Sequence, residues 1–329
     1  MADGDVTTDE LYKDRPDFAD VTPIYNSEAE NSVVPIALRT DFVDAFAYLR
    51  ALMNAKEISE RAFELTTTCA RMNPANYSVW EYRRHVLRGL NKDLKKELEF
   101  CEEMILENLK NYQVWHHRRE LIQWMKEERG SMSFVDVVLK DDFKNYHAWQ
   151  HRVFLARHYK VPLKSELKFT TDFISRDVFN NSAWTYRYFV VAEMSDDFDK
   201  KDVVNEEIKF VMNHIRGAVN NASSWAYLSG LMEFSSYADH PEVVEFTKKM
   251  LIPADAPEGS NLVVEKSAPN SFALAFLADA MIAVIEEKNP VNGGLQLAKA
   301  CYERLVVVDP LRRRLWNYKL HELQNLANV

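Results

Sequence analysis

The octapeptide Asn111-Tyr112-Gln113-Val114-Trp115-His116-His117-Arg118 returns downstream as Asn145-Tyr146-His147-Ala148-Trp149-Gln150-His151-Arg152. Working outward, Asn76-Tyr77-Ser78-Val79-Trp80-Glu81-Tyr82-Arg83 precedes this pair and Asn180-Asn181-Ser182-Ala183-Trp184-Thr185-Tyr186-Arg187 follows it, all aligning without gaps. The four tryptophans stand 35, 34 and 35 residues apart. A fifth copy, Asn221-Ala222-Ser223-Ser224-Trp225, comes 41 residues later and has Leu228 where the arginine stood. Trp316-Asn317-Tyr318-Lys319 reads as a last copy, and Asn270-Ser271-Phe272 opens an apolar stretch that reads as a degenerate one. A period of roughly 34 residues belongs to helix–turn–helix units that bury their apolar faces only by stacking on one another. The expected fold is therefore all-α, a tetratricopeptide-like solenoid of about seven helical hairpins.

Each unit reads as two helices. The second starts at the Asn, whose side-chain oxygen can accept an otherwise unpaired backbone N–H. Trp and Arg, three residues apart, then share one face. Leu98, Cys101, Ile105 and Leu109 keep helical spacing and mark a first helix. The repeated Trp is expected to wedge between neighbouring helix pairs, with the Arg packing on it or bridging repeats. Pro16, Pro23 and Pro35 place an irregular leader over residues 1–35, before a helix near 39–54 with Phe42, Ala45, Phe46 and Leu49 as its apolar stripe. Residues 36–329 are then expected to form a single repeat domain. Pro253, Pro257 and Gly259 mark its longest loop, expected between repeats five and six, and Asn289-Pro290 with Gly293-Gly294 another break.

Composition agrees with helices packed on helices. The chain has 329 residues, 47% of them apolar and 12% aromatic, but only 8 glycines, too few for a β-rich or Rossmann-type architecture. Residues 1–30 hold nine acids against Lys13 and Arg15, a net charge of −7, while the remainder is close to neutral at −2. A nearly neutral body argues against broad nucleic-acid binding. The acidic leader reads as a solvated, partly disordered tail. An acidic start without an apolar stretch is unlike a secretory signal, and no apolar run has the length of a membrane span, so no membrane insertion is expected. Cys69, Cys101 and Cys301 are odd in number and far apart, which fits free thiols in a reducing cytoplasm and no cysteine zinc site.

Chemistry should sit where copies differ without a packing reason. The residue before each Asn is Ala75, Lys110, Lys144 and Phe179 in turn; the residue after it is Tyr77, Tyr112, Tyr146 and Asn181; the next is Ser78, Gln113, His147 and Ser182. Repeats two and three thus carry Lys-Asn-Tyr-Gln and Lys-Asn-Tyr-His at turns that stacking should bring side by side. Two Lys, two Tyr, a Gln and a His beside helix N-termini form an anion-binding pattern, although Lys and Asn are also common in solvated turns. His147 and His151 are four apart, and His116-His117 lie one repeat away, but no H-E-x-x-H and no nearby carboxylate completes a metal set. No nucleophile elbow, phosphate loop or glycine fingerprint occurs, so the chain lacks a catalytic apparatus of its own.

KNYQVWHHRR at 110–119 and KNYHAWQHR at 144–152 resemble the signature repeats of the protein prenyltransferase α subunit, in the form shared by farnesyltransferase and type I geranylgeranyltransferase. The resemblance extends to Tyr12-Lys13-Asp14-Arg15-Pro16-Asp17-Phe18-Ala19-Asp20, to Ser59-Glu60-Arg61-Ala62-Phe63 and to Asn180-Asn181-Ser182-Ala183-Trp184. It is strong to about residue 230 and weaker beyond. It implies a crescent-shaped, right-handed superhelix of hairpins wrapped around a β subunit that holds the catalytic Zn2+ and most of the isoprenoid pocket. The heterodimer would transfer farnesyl or geranylgeranyl from its diphosphate to the cysteine of C-terminal C-a-a-X proteins in the cytoplasm. By the same resemblance Lys110 reaches the diphosphate and assists catalysis with Tyr112 beside it. Gln113 binds the peptide's terminal carboxylate. Asn145, Tyr146 and His147 line the diphosphate end of the isoprenoid site, with Lys144 on the same turn. Tyr77 and Ala75 form the peptide-side edge. Mg2+ at the diphosphate stays open, because its ligands would come mostly from the partner, as does the choice of β subunit. Two rival readings are the α subunit of Rab geranylgeranyltransferase, which would need an escort protein, and a tetratricopeptide-like scaffold without catalytic contribution. The repeated Trp and Arg, where such scaffolds use small residues, disfavour the second.

Overall fold

The Asn that opens each motif does cap a helix. Asn76 Oδ1 accepts from the amides of Ser78 and Val79, Asn111 Oδ1 from Gln113 and Val114, Asn180 Oδ1 from Ser182 and Ala183, and Asn270 Oδ1 from Phe272 and Ala273, all at 2.9–3.3 Å. The computed structural model describes residues 10–26, 37–125, 131–193, 200–286 and 293–326. Among these residues there are fifteen α-helices and no strand. A single helix, α1 (Thr40–Ala55), comes first. Seven hairpins follow: α2 (Glu60–Met72) with α3 (Tyr77–Gly89), α4 (Leu94–Glu107) with α5 (Tyr112–Met125), α6 (Ser131–Asp141) with α7 (Tyr146–Tyr159), and α8 (Leu163–Arg176) with α9 (Asn181–Glu193). The last three pair α10 (Lys200–Gly217) with α11 (Ala222–Leu231), α12 (Pro241–Leu251) with α13 (Ser271–Glu286), and α14 (Gly294–Val308) with α15 (Arg313–Leu326). The fold is the expected helical solenoid. It comprises two compact units, Met1–Tyr159 and Lys160–Val329.

One device locks each corner. The Trp indole N–H donates to the carbonyl six residues back: Trp80 to Pro74, Trp115 to Leu109, Trp149 to Phe143, Trp184 to Val178 and Trp225 to Val219, at 2.8–3.0 Å. These rings are at most 5% exposed, so the bond removes a polar group that burial would otherwise leave unsatisfied. The capping Asn of the next hairpin donates to the same carbonyl: Asn145 to Leu109 (3.2 Å), Asn221 to Val178 (2.6 Å) and Asn270 to Val219 (2.8 Å). A single turn oxygen therefore ties two hairpins together. In the last copy Trp316 finds Asp309 Oδ2 at 3.1 Å in place of a turn carbonyl.

Arg83 and Arg187 bridge hairpins, and they stack on phenylalanine rather than on the Trp. Arg83 of α3 forks onto Glu97 of α4 at 2.6 and 2.7 Å, reaches Thr66 and Thr67 of α2, and lies over the Phe63 and Phe100 rings. Arg187 of α9 repeats the pattern with Glu207 of α10, Thr170 and Thr171 of α8, and the Phe210 ring. Both guanidinium–carboxylate pairs are buried, and the fork geometry with its extra hydroxyl partners is what makes such burial tolerable. Glu97 also accepts from His117 at 2.7 Å. Burial alone would raise the Glu97 pKa, but the His117 and Arg83 donors outweigh it and hold the carboxyl below the usual range.

Three expectations need correction. Residues 10–26 are not a solvated tail. Tyr12 and Phe18, 3% and 1% exposed, pack edge-to-face with each other, and Phe18 meets Tyr48 of α1 in the same way. The Tyr12 amide donates to the buried Asp44 carboxylate at 2.6 Å, and Arg61 of α2 holds both the Asp17 carbonyl and Asp20. Two apolar rings and an N–H partner inside the structure outweigh the solvation of the acids, which stay at the surface. The rest of the acidic leader, Asp3, Asp5, Asp9, Glu28 and Glu30 with Pro35, lies outside the described residues, as does Asn289-Pro290. Second, the Pro253–Gly259 loop lies inside hairpin six, between α12 and α13, because α12 already begins at Pro241. Third, Leu109 lies past the end of α4, whose buried positions are Glu97, Cys101, Met104 and Ile105.

Candidate functional site

The corners before α5 and α7 belong to the first unit and lie against each other. The Tyr112 ring meets the His147 ring edge-on at 4.2 Å and lies 6.5 Å from Tyr146, while Tyr146 and His147 are 5.5 Å apart. The Lys110 carbonyl faces the His147 ring and works to raise its pKa, but burial dominates and holds it below the ordinary histidine range. Lys110 and His147 are thus joined across consecutive hairpins. The Asn145–Leu109 hydrogen bond makes the same link one residue earlier.

Exposure separates the functional candidates from the scaffold. Tyr112 and Tyr146 are 65% and 61% exposed, and Lys110 and Lys144 are exposed as well. Among the described residues the Lys110 ammonium has no ion pair, while Lys144 Nζ lies 5.2 Å from the Phe143 ring centroid. His147 is nearly covered and Gln113 half-buried. Tyr77, 71% exposed, and Ala75 stand on the corner before α3, one hairpin earlier. Large aromatic side chains held in water by a rigid turn are costly unless a partner covers them. The arrangement offers cations, phenol hydroxyls and an amide along one edge, suited to an anion presented from another molecule.

Asn145 departs from the expected role. It is 2% exposed, its Nδ2 donates to the Leu109 carbonyl and to Asp142 Oδ2 at 3.2 Å each, and its Oδ1 accepts from the Ala148 amide at 2.9 Å. Both amide hydrogens are committed inside the protein, so the side chain does not line the corner's surface. His151 is likewise engaged: its Nε2 accepts from Arg118 at 2.6 Å, and burial together with that cation pushes its pKa well below the usual value. Among the described residues no group of three or more His, Cys, Asp or Glu gathers to hold a metal. No described helix is long and apolar enough to cross a membrane.

Sequence reasoning missed two features. Glu97 and Glu207, the buried carboxylates that receive the bridging arginines, were not singled out from the sequence. A cleft of about 400 Å3 in the second unit, between α9 and α11, is lined by Trp184, Tyr188, Tyr227, Gly230 and Glu233 and contains none of the residues expected at the diphosphate or peptide site. Only the Thr-Thr pairs that precede Arg83 and Arg187 at equal distance signalled the arginine network.

Comparison with known proteins agrees with the repeat and the fold. Residues 59–90, 94–125, 129–159 and 163–194 match the protein prenyltransferase alpha subunit repeat. The chain is 35% identical to the protein farnesyltransferase/geranylgeranyltransferase type-1 subunit alpha of Pisum sativum over 95% of each chain. It is 30% identical to that of Dictyostelium discoideum over 95% of this chain and 94% of the relative. The solved structure of Candida albicans protein geranylgeranyltransferase-I complexed with GGPP superposes with a TM-score of 0.78 at 28% identity, covering 94% of this chain and 99% of that one. Repeat match, identity along nearly the whole length and likeness of fold converge: the chain belongs to the protein prenyltransferase α-subunit family, among the farnesyltransferase/geranylgeranyltransferase type-1 α subunits.

Proposed function

We propose that this chain works as the α subunit of a cytosolic heterodimer that transfers a farnesyl or geranylgeranyl group from its diphosphate to the cysteine of a C-terminal C-a-a-X sequence. The observation that carries the reading is the paired corner, with Lys110 and Tyr112 on one turn and Tyr146 and His147 on the next. In the transfer, the cysteine sulfur bonds to C1 of the isoprenoid while the C1–O bond breaks, and the diphosphate leaves with the electron pair. Lys110 meets the charge that grows on the departing oxygens, a role for which an exposed, unpaired ammonium on a rigid turn is fitted. Tyr112 adds a hydroxyl donor beside it, and Lys144, Tyr146 and His147 complete the diphosphate side. Gln113 offers its amide to the peptide's terminal carboxylate, with Ala75 and Tyr77 along that edge. A zinc ion held by the β subunit would stabilise the peptide cysteine as its thiolate.

The test is co-expression with a farnesyltransferase-type and, separately, a geranylgeranyltransferase-I-type β subunit, measuring prenyl transfer to a C-a-a-X peptide. Transfer should require both chains. Lys110→Ala should leave the heterodimer assembled and slow the single-turnover step, raising the barrier by roughly 2–4 kcal/mol. An unchanged chemical step in that variant would remove the role given to Lys110. Transfer that requires an escort protein and a Rab substrate would instead favour the type-2 reading.

A further inference from the structure

We propose that Asn145 is a positioning residue for Lys110, acting through the peptide chain and not on any ligand. The inference rests on the reading that Lys110 acts at the diphosphate. The Leu109 carbonyl belongs to the peptide unit whose nitrogen is that of Lys110. It is held from behind by the Trp115 indole at 2.9 Å and from the next hairpin by Asn145 Nδ2 at 3.2 Å. A peptide unit is planar, so two donors on its oxygen orient the plane from which the Lys110 Cα departs. The lysine side chain is long and flexible, and its reach is useful only if its root is fixed. Asn145 can do this because its remaining bonds, to Asp142 and to the Ala148 amide, anchor it at the start of α7.

The second unit provides an internal control. Asn221 makes the same bond to the Val178 carbonyl at 2.6 Å, alongside the Trp184 indole, but the peptide it holds leads into Phe179. The link is a general feature of the fold, and Asn145 differs in which residue follows the clamped carbonyl and in its second donated bond, to Asp142. A purely structural role therefore predicts a loss of stability at both positions and no slowing of transfer particular to Asn145.

The experiment compares Asn145→Ser with Asn221→Ser in the purified αβ heterodimer. Serine keeps a capping oxygen but is too short to reach the neighbouring carbonyl. Both variants should lose thermal stability, Asn145→Ser the more because its bond to Asp142 goes as well. Only Asn145→Ser should slow single-turnover transfer, by about tenfold, with KM for peptide and prenyl diphosphate unchanged. On a Lys110→Ala background it should slow the reaction no further, since its effect passes through that lysine. Should Asn145→Ser fail to fold, Asn145→Asp, which keeps the cap and loses both donated bonds, takes its place in the same comparison. Equal slowing at both positions, no slowing at Asn145, or slowing that multiplies with Lys110→Ala overturns the proposal and leaves the Lys110 reading intact. A Lys110→Ala heterodimer with an unchanged chemical step overturns both.

Discussion

The corner before α5 and the corner before α9 are built alike and surfaced differently. In each, an Asn caps the helix, the Trp indole bonds the carbonyl six residues back, and an Asn from the following hairpin bonds that same oxygen. Yet the first presents Lys110, Tyr112 and Gln113, and the second Phe179, Asn181 and Ser182. The scaffold occupies the inward positions of the motif. The two or three outward positions are free of packing duty, and in the first unit they carry charge and phenols. A repeat fold thus separates the residues that hold a turn from those that use it.

That separation can be broken or sharpened by matched substitutions, beginning with the one expected to do most damage. Arg83→Leu and Arg187→Leu each strand a buried carboxylate, Glu97 or Glu207, and should each cost about 3–5 kcal/mol in urea unfolding. A large difference between them would show that the two units are not built alike. Next, Lys110→Ala should slow transfer by the roughly 2–4 kcal/mol given above, while Phe179→Ala, at the corresponding place in the second unit, should leave the chemical step unchanged. Slowing at Phe179 would erase the functional contrast.

A pH effect should be smaller. His117 and His151 are buried, and both have pKa values pushed below the unfolded value, so the unfolded chain binds more protons. Stability should then fall as pH drops below about 6.5, by at most about 1.4 kcal/mol per pH unit for each histidine. His151→Gln, whose amide oxygen can still accept from Arg118, should remove the His151 part of that slope in melts between pH 7.5 and 5.5. An identical slope would mean that the His151 pKa is the same in the folded and unfolded chain. Smallest of all, Asn76→Ala removes a cap at the first corner and should cost about 1 kcal/mol. Asn221→Ala, which also loses the Val178 bond, should cost more, and equal losses would deny the inter-hairpin link any weight.

Much of the architecture was legible in advance because its signals are local. The Asn caps and the apolar stripe of α1 depend on residues within two helical turns of each other, the Trp period is a plain spacing along the chain, and each appeared where expected. The exposed candidates Lys110, Tyr112 and Tyr146 were legible because they varied where packing asked for nothing. The leader misled because nine acids outweigh three aromatic rings in any compositional sum, yet Tyr12 and Phe18 decide where it lies. The loop at Pro253–Gly259 was found but placed outside its hairpin, since Pro241, a favourable first residue for a helix, was not read as a start.

Sequence alone determined the period, the helices, their caps and the chemical character of each corner, because these follow from spacing along one chain. Only the tertiary structure decided that the Leu109 carbonyl is shared between Trp115 and Asn145, that Glu97 lies buried between Arg83 and His117, and that Asn145 faces inward while Tyr146 faces water. Such choices depend on which donor reaches which acceptor between helices, from Arg83 to Glu97, 14 positions apart, to Asn145 and Leu109, 36 positions apart. Distances of that kind are set by how hairpins stack, and no local spacing encodes them.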